Sequence, residues 1–167
     1  MHKDVIFAFQ QKYFAEPASL VPILETHRRK GEKVVFANGC FEILHVGHLR
    51  YLYAAKALGD ILVVAINTDQ SLTRIKPGRD IVNPDFERME VISAIETVDY
   101  VIPLEDDHPG YLCELLMPDF HTKGTDYQDR LEAMPEYDIV KSYGGTVVAV
   151  GDAKDHSTTE ILRKLQT

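Results

Sequence analysis

Residues Ile61-Leu62-Val63-Val64-Ala65-Ile66 are apolar at every position. A half-wetted strand alternates apolar and polar side chains, so an unbroken run must be covered on both faces. That is the environment expected of a parallel strand flanked by helices. Four further short runs read as strands: Lys33–Ala37, Tyr100–Pro103, Asp119–Thr122 and Thr146–Val150. Helical spacing fills the intervals. Leu20, Ile23, Leu24 and His27 share one face of a helix from Ser19 to Lys30, with Ser19 as cap and Gly31 as stop. Further helices are expected over Gly47–Leu58, closed by Gly59, and over Asn67–Ile75. Asn83-Pro84 opens the next as cap and first turn, with Met89, Ile92, Ala94 and Ile95 on its apolar side. Pro109–Met117, Pro135–Tyr143 and Ser157–Leu165 follow, the last with Ser157 and Glu160 in capping-box spacing. The expected fold is a Rossmann-like, doubly wound, five-stranded parallel sheet with helices on both faces.

At 167 residues the chain has the length of one domain of ordinary size. Residues 1–31 read as an N-terminal extension and helix, and 33–165 as a catalytic core. A net charge of −8 argues against a broad basic face for nucleic acid. Cys40 and Cys113 are too few for a disulfide framework or a Cys-rich zinc site. The apolar stretch at the start is too short for a signal peptide, and no run approaches the roughly 18 residues of a membrane span. A cytoplasmic protein without membrane or nucleic-acid partners is expected.

In sheets of this type ligands bind at the carboxyl ends of strands, near the point where strand order reverses. Three loops qualify: 38–48, 123–127 and 151–159. The first reads Asn38-Gly39-Cys40-Phe41-Glu42-Ile43-Leu44-His45-Val46-Gly47-His48. It joins a buried strand to a helix start, whose free amides attract anions. His45 and His48 add donors there, and Gly47 lets backbone approach a ligand. The pattern is a phosphate site without the Gly-Lys-Ser/Thr ending of a P-loop. A zinc reading would require a third protein ligand, and no Cys or His lies close by in sequence. Cys40 lacks the adjacent base of a nucleophile.

This segment resembles the signature of the H-x-G-H nucleotidyltransferases of the cytidylyltransferase-like superfamily. Similarity extends from about Lys33 to Leu165. It includes Lys76-Pro77-Gly78-Arg79, Glu87-Arg88, the strand at Val98–Pro103, Lys123-Gly124-Thr125-Asp126-Tyr127, and His156-Ser157-Thr158-Thr159 after Tyr143-Gly144-Gly145. Within the superfamily the chain is most similar to the adenylyltransferase domains of ADP-heptose synthases. The resemblance implies transfer of AMP from ATP to a sugar 1-phosphate, with a heptose 1-phosphate as leading acceptor and pyrophosphate as leaving group. By the same resemblance, His45, His48, Lys76 and Arg88 form the catalytic set. Nucleotide contacts fall to those histidines and to Asn38, Gly39, Cys40, Phe41 and Gly47. The distal loops add Lys123, Gly124, Asp126, Ser157, Thr158 and Thr159. Glu42 and Arg79 are assigned to the acceptor. Mg²⁺ is expected on the nucleotide phosphates, with no protein metal site. A homodimer is implied, with the helix near Leu20–His27 as an interface element. Since such domains are often fused to a sugar kinase, any kinase is expected on a separate chain.

Three positions depart from the pattern. Glu42 stands where the family usually has Asp. Thr125 replaces a second Gly and would be strained if that position required positive φ. The basic loop is one Gly shorter than in the heptose enzymes. Two other functions therefore stay open: a cytidylyltransferase acting on glycerol 3-phosphate or another alcohol phosphate, and an inactive nucleotide-binding module.

Overall fold

The structure, a computed structural model, describes residues 9–78 and 80–152. Its strands are β1 (Val34–Gly39), β2 (Ile61–Asn67), β3 (Tyr100–Leu104), β4 (Phe120–Gly124) and β5 (Thr146–Val150). They form one parallel sheet in the order β3-β2-β1-β4-β5. Between them run helices α1 (Val21–Arg29), α2 (Val46–Lys56), α3 (Asp69–Ile75), α4 (Asp85–Ser93), α5 (Gly110–Leu116) and α6 (Tyr137–Ser142). Short 3₁₀ segments cover Pro17–Leu20 and Thr125–Ala133. This is the doubly wound α/β sheet expected from the apolar runs. The predicted helix Ser157–Leu165 lies outside the described residues.

Alternation along the strands splits the core into two layers. Val34 and Phe36 join Leu20, Leu24, Leu112 and Leu116 on the face covered by α1 and α5. Val35 and Ala37 join Leu52, Met89 and Ile92 on the face covered by α2 and α4. Every residue of β2 is buried, as its unbroken apolar run requires. Each Leu or Val so buried contributes about 1.5–3 kcal/mol of transfer free energy.

Local details differ from expectation where side chains found other partners. Ser19 does not cap α1. Its hydroxyl donates to the Glu16 carbonyl at 2.6 Å, inside the 3₁₀ turn that Pro17 begins, and α1 starts at Val21 without a side-chain cap. Gly31 does end α1, with φ of 81°. Leu20 and Leu24, the apolar side expected of that helix, lie in the chain's own core and are not available to a partner. Asn67 belongs to β2, and Thr68 caps α3. Asn83 does not cap α4, which is preceded by Pro84, because its amide is bound to the loop after β1. Both β1 and β4 run further than expected. Asn38 and Gly39 pair with Ala65 and Ile66, and Lys123 and Gly124 with Ala149 and Val150. Polar residues at a strand end still satisfy their backbone through the ladder. Outside β3, Tyr13 forms a parallel bridge to Val101, and the Phe14 N–H donates to the Val101 carbonyl at 3.0 Å. That contact covers part of an edge otherwise open to pairing.

Gly59 sits where α2 turns back into β2. A Cβ there would lie 2.7 Å from Val35 Cγ2 and 2.8 Å from the Lys33 carbonyl oxygen. Gly59→Ala is expected to lower stability by about 1–3 kcal/mol in urea unfolding, because neither neighbour can withdraw without moving β1.

Candidate active site

A cleft of about 660 Å³ opens at the carboxyl ends of the strands. Its centre is the loop from β1 to α2. Phe41 holds φ of 48°, an unusual value for a bulky residue. Packing sustains it. The ring is buried and lies 5.0 Å from the His48 ring between centroids. Gly39 makes room, since a Cβ there would meet the Phe41 ring at 3.0 Å. His45 is the residue before α2, in extended conformation, and His48 lies in the first turn. Their rings stack with centroids 3.8 Å apart and planes at 22°. Two imidazoles thus stand together at a helix N-terminus, where the helix dipole favours anions, and the His48 N–H donates to the His45 carbonyl at 2.9 Å.

Arg88 holds this loop from behind. It is almost fully buried and is absent from the cleft wall. Its guanidinium donates to the Cys40 carbonyl at 2.6 Å, the Asn83 carbonyl at 3.0 Å and Asp69 Oδ1 at 2.8 Å. The Asn83 amide donates in turn to the Glu42 carbonyl at 2.7 Å. The structure therefore places Arg88 among protein acceptors rather than at a ligand surface. Neither is it in the surface pairs that neighbouring Glu87 and Glu90 would suggest.

Glu42 is also buried, and Lys76 Nζ lies 3.1 Å from its Oε2. Burial pushes the neighbouring Cys40 thiol above its ordinary pKa, although Lys76 pulls the other way. Cys40 is thus held as a thiol, consistent with a packed residue and not a nucleophile. Across the cleft, Gly124 lies close to Asp126, whose Oδ1 would be 2.6 Å from a Cβ at that position. The strain considered for Thr125 does not arise. Among the described residues the non-glycine positions with positive φ are Phe41 and Met117. Thr125 instead donates its hydroxyl to the Asp152 carbonyl at 2.6 Å, linking the loops after β4 and β5.

Beneath the cleft lies a buried polar chain. Lys123 Nζ is 2.7 Å from Glu136 Oε1 and donates to Asn38 Oδ1 at 2.9 Å. His121 Nε2 lies 3.2 Å from the same Glu136 oxygen. Burial lowers the His121 pKa against the pull of Glu136, so its imidazole is neutral and donates through Nε2. Burial opposes ionisation of Glu136. The His121 hydrogen bond and the Lys123 charge outweigh it and hold the carboxyl down to about 2.

Of the residues singled out by sequence, Asn38, Gly39, Cys40, Phe41, Glu42 and His45 line the cleft. So do Gly47, His48, Lys76, Lys123, Gly124 and Asp126. Arg88 does not. Arg79, Ser157, Thr158 and Thr159 lie outside the described residues. Sequence reading missed Asn67, Asp107, His108 and Glu136, which share the wall. The rule that ligands meet strand carboxyl ends would have found the loop after β3. Glu136 carried no such signal. Among the described residues, no three His, Cys, Asp or Glu side chains converge on a metal position. No described helix is long and apolar enough to cross a membrane.

A cleft at the reversal of a parallel sheet, centred on a histidine pair at a helix start, is suited to an anionic ligand. Residues 36–164 match the cytidylyltransferase-like family model, and the chain belongs to that family. It is 46% identical over 143 residues to the bifunctional protein HldE of Hahella chejuensis, covering 86% of this chain and 30% of that protein. Against HldE of Syntrophotalea carbinolica it is 42% identical over 148 residues, covering 88% of this chain and 30% of that protein. The chain thus spans about 30% of the length of these curated relatives. Among solved structures, the lipopolysaccharide core biosynthesis protein of Thermoplasma volcanium is 30% identical with a TM-score of 0.61. That match covers 74% of this chain and 99% of the other. Pantothenate synthetase of Thermus thermophilus, 18% identical with a TM-score of 0.63, shares the fold over 90% of this chain and 67% of its own.

Both buried charge clusters can be tested by substitution. Arg88→Met strands two loop carbonyls and Asp69, and is expected to reduce stability by about 2–4 kcal/mol in urea unfolding. Arg88→Lys should recover little, since one ammonium cannot reproduce the planar fork. The Glu136 carboxyl has a folded pKa below its ordinary 4.5, so its stabilisation is complete above that value and fades as pH falls toward about 2. Acid titration of unfolding free energy should therefore slope more steeply across that window in the wild type than in Glu136→Gln.

Proposed function

We propose that this domain transfers AMP from ATP to a sugar 1-phosphate, with a heptose 1-phosphate as acceptor, releasing pyrophosphate. The observation that carries the reading is the stacked His45–His48 pair at the start of α2, in one cleft with Lys76 and Lys123. The sequence resemblance to ADP-heptose synthase adenylyltransferase domains, the HldE relatives and the Thermoplasma protein support the acceptor class.

In the proposed reaction an oxygen of the acceptor phosphate attacks the α-phosphorus of ATP in line. The new P–O bond forms as the bond to the bridging oxygen breaks, and that oxygen leaves on pyrophosphate. No covalent enzyme intermediate is needed, so the protein positions reactants and stabilises charge. His45 and His48 donate to the triphosphate, with His48 bearing on the transferred phosphoryl group. Lys76 offsets phosphate charge from the end of α3, with Glu42 holding its ammonium. Asn38, Gly39, Cys40 and Phe41 shape the nucleotide wall, and Lys123, Gly124 and Asp126 hold the nucleoside end. Arg88 acts indirectly, by fixing the loop that carries the histidines. Glu42 and Arg79 on the acceptor, and Ser157, Thr158 and Thr159 on the distal phosphates, complete the set assigned by resemblance. Mg²⁺, when bound, offsets phosphate charge.

Pyrophosphate release with Mg²⁺, with ATP or CTP and either D-glycero-β-D-manno-heptose 1-phosphate or glycerol 3-phosphate, tests the reading. Release confined to ATP with the heptose is expected. Release with CTP and glycerol 3-phosphate would keep the mechanism and replace the substrates. Nucleotide binding without release across acceptors would favour the inactive module, against which stand the intact histidine pair and the unstrained Thr125. His48→Ala is expected to lower turnover about 10²-fold with an unchanged far-UV spectrum.

A further inference from the structure

We propose that Glu136 is the positioning residue that sets Lys123 as a fixed, charge-compensated donor to the nucleoside part of the nucleotide. This rests on the nucleotidyl-transfer reading and adds to it a residue and a division of the cleft.

Lys123 has three N–H donors, and two are committed, to Glu136 Oε1 at 2.7 Å and to Asn38 Oδ1 at 2.9 Å. The Tyr127 ring centroid lies 5.8 Å from Nζ, within cation–π range, and limits the ammonium further. Lys123 and Glu136 both line the cleft, with side chains only 12% and 2% exposed. A lone ammonium so enclosed would be costly, and the adjoining carboxylate with its own hydrogen bonds offsets part of that cost. His121, neutral and fully buried, donates to the same carboxylate oxygen at 3.2 Å and keeps it in place. The result is a lysine whose charge is cancelled and whose position is set from β1, β4 and the segment before α6. One donor remains for a ligand. A compensated ammonium recognises a neutral acceptor, such as a ribose hydroxyl or a base edge, and is a weak counter-ion for a phosphate. Lys76 is also paired, with Glu42, but at 3.1 Å and with its side chain 38% exposed, so the phosphates belong with it and with His45 and His48. Glu136 itself makes no ligand contact in this scheme and acts only through Lys123.

Calorimetric titration of the full chain with ATP and with CTP, both with Mg²⁺, tests the proposal alongside steady-state kinetics. Glu136→Gln keeps the shape and removes the charge. For the nucleotide bound more tightly by the wild type, it is expected to raise Kd and KM about tenfold, with kcat changed less than about threefold. Lys123→Met should weaken binding similarly, and the double variant Glu136→Gln/Lys123→Met should be no weaker than Lys123→Met alone. A general loss of packing would not give that non-additivity. If Glu136→Gln melts below the assay temperature, Glu136→Asp carries the test. It retains the charge but withdraws the oxygen by one methylene, with about a fivefold rise in Kd expected. A Kd for the carboxylate variant within about twofold of wild type, or effects that multiply in the double variant, would overturn the proposal alone. A wild type that binds neither nucleotide would overturn it together with the reading on which it rests.

Discussion

From β1 the chain winds outward through β2 to β3, then returns to place β4 on the opposite side of β1. The segments after β1 and β4 consequently leave the sheet on opposite faces. Leu52 of α2 lies in one core layer, whereas Val140 of α6 lies in the other. Among the described residues no connection bridges the gap between those two strand ends, so the sheet is open there. The cleft follows from covering an apolar β2 on both sides. Chemistry then depends on what the diverging loops carry.

Both sides of the opening are built on charges removed from water. Behind the first loop, Arg88 gathers Cys40, Asn83 and Asp69. Beneath the second, Glu136 joins His121 to Lys123 and Asn38. Burying such groups is unfavourable unless nearly every donor has an acceptor, so each cluster admits few alternative geometries. Apolar packing gives the sheet its stability, and these polar clusters give two loops their shape. Asn83 illustrates the division: its side chain serves the loop after β1 although it lies just before α4.

The sheet was legible because burial leaves a pattern. Unbroken apolar runs marked β2 and β5, and 3.6-residue spacing marked α1, α2 and α4. The histidine loop was legible because Gly, His and a helix start fall within a few residues. Other features were not. Ser19 and Asn83 are residues that cap helices in general, but here each hydroxyl or amide found a nearer or stronger acceptor. Arg88 lay on a helix between two acidic residues, which in sequence looks like a solvated face. Only the three-dimensional placement of two loop carbonyls shows why it is buried. Glu136 owes its role to His121 and Lys123, many residues away in the chain, and local composition holds no trace of such a meeting. Thr125 looked strained against a glycine-bearing pattern. Of the residues lining the cleft, the non-glycine one with left-handed backbone is Phe41, whose ring contacts compensate for it.

Phe41 also bears on the energetics of an empty cleft. A loop with free carbonyls and a mobile aromatic ring would collapse inward to satisfy itself, and a ligand would have to reopen it. Here the Cys40 and Glu42 carbonyls already have donors on the far side, and the Phe41 ring is wedged between Gly39 and His48. The histidine loop is therefore ordered before any ligand arrives. Its conformational entropy is lost during folding, and association is correspondingly tighter for the same set of contacts.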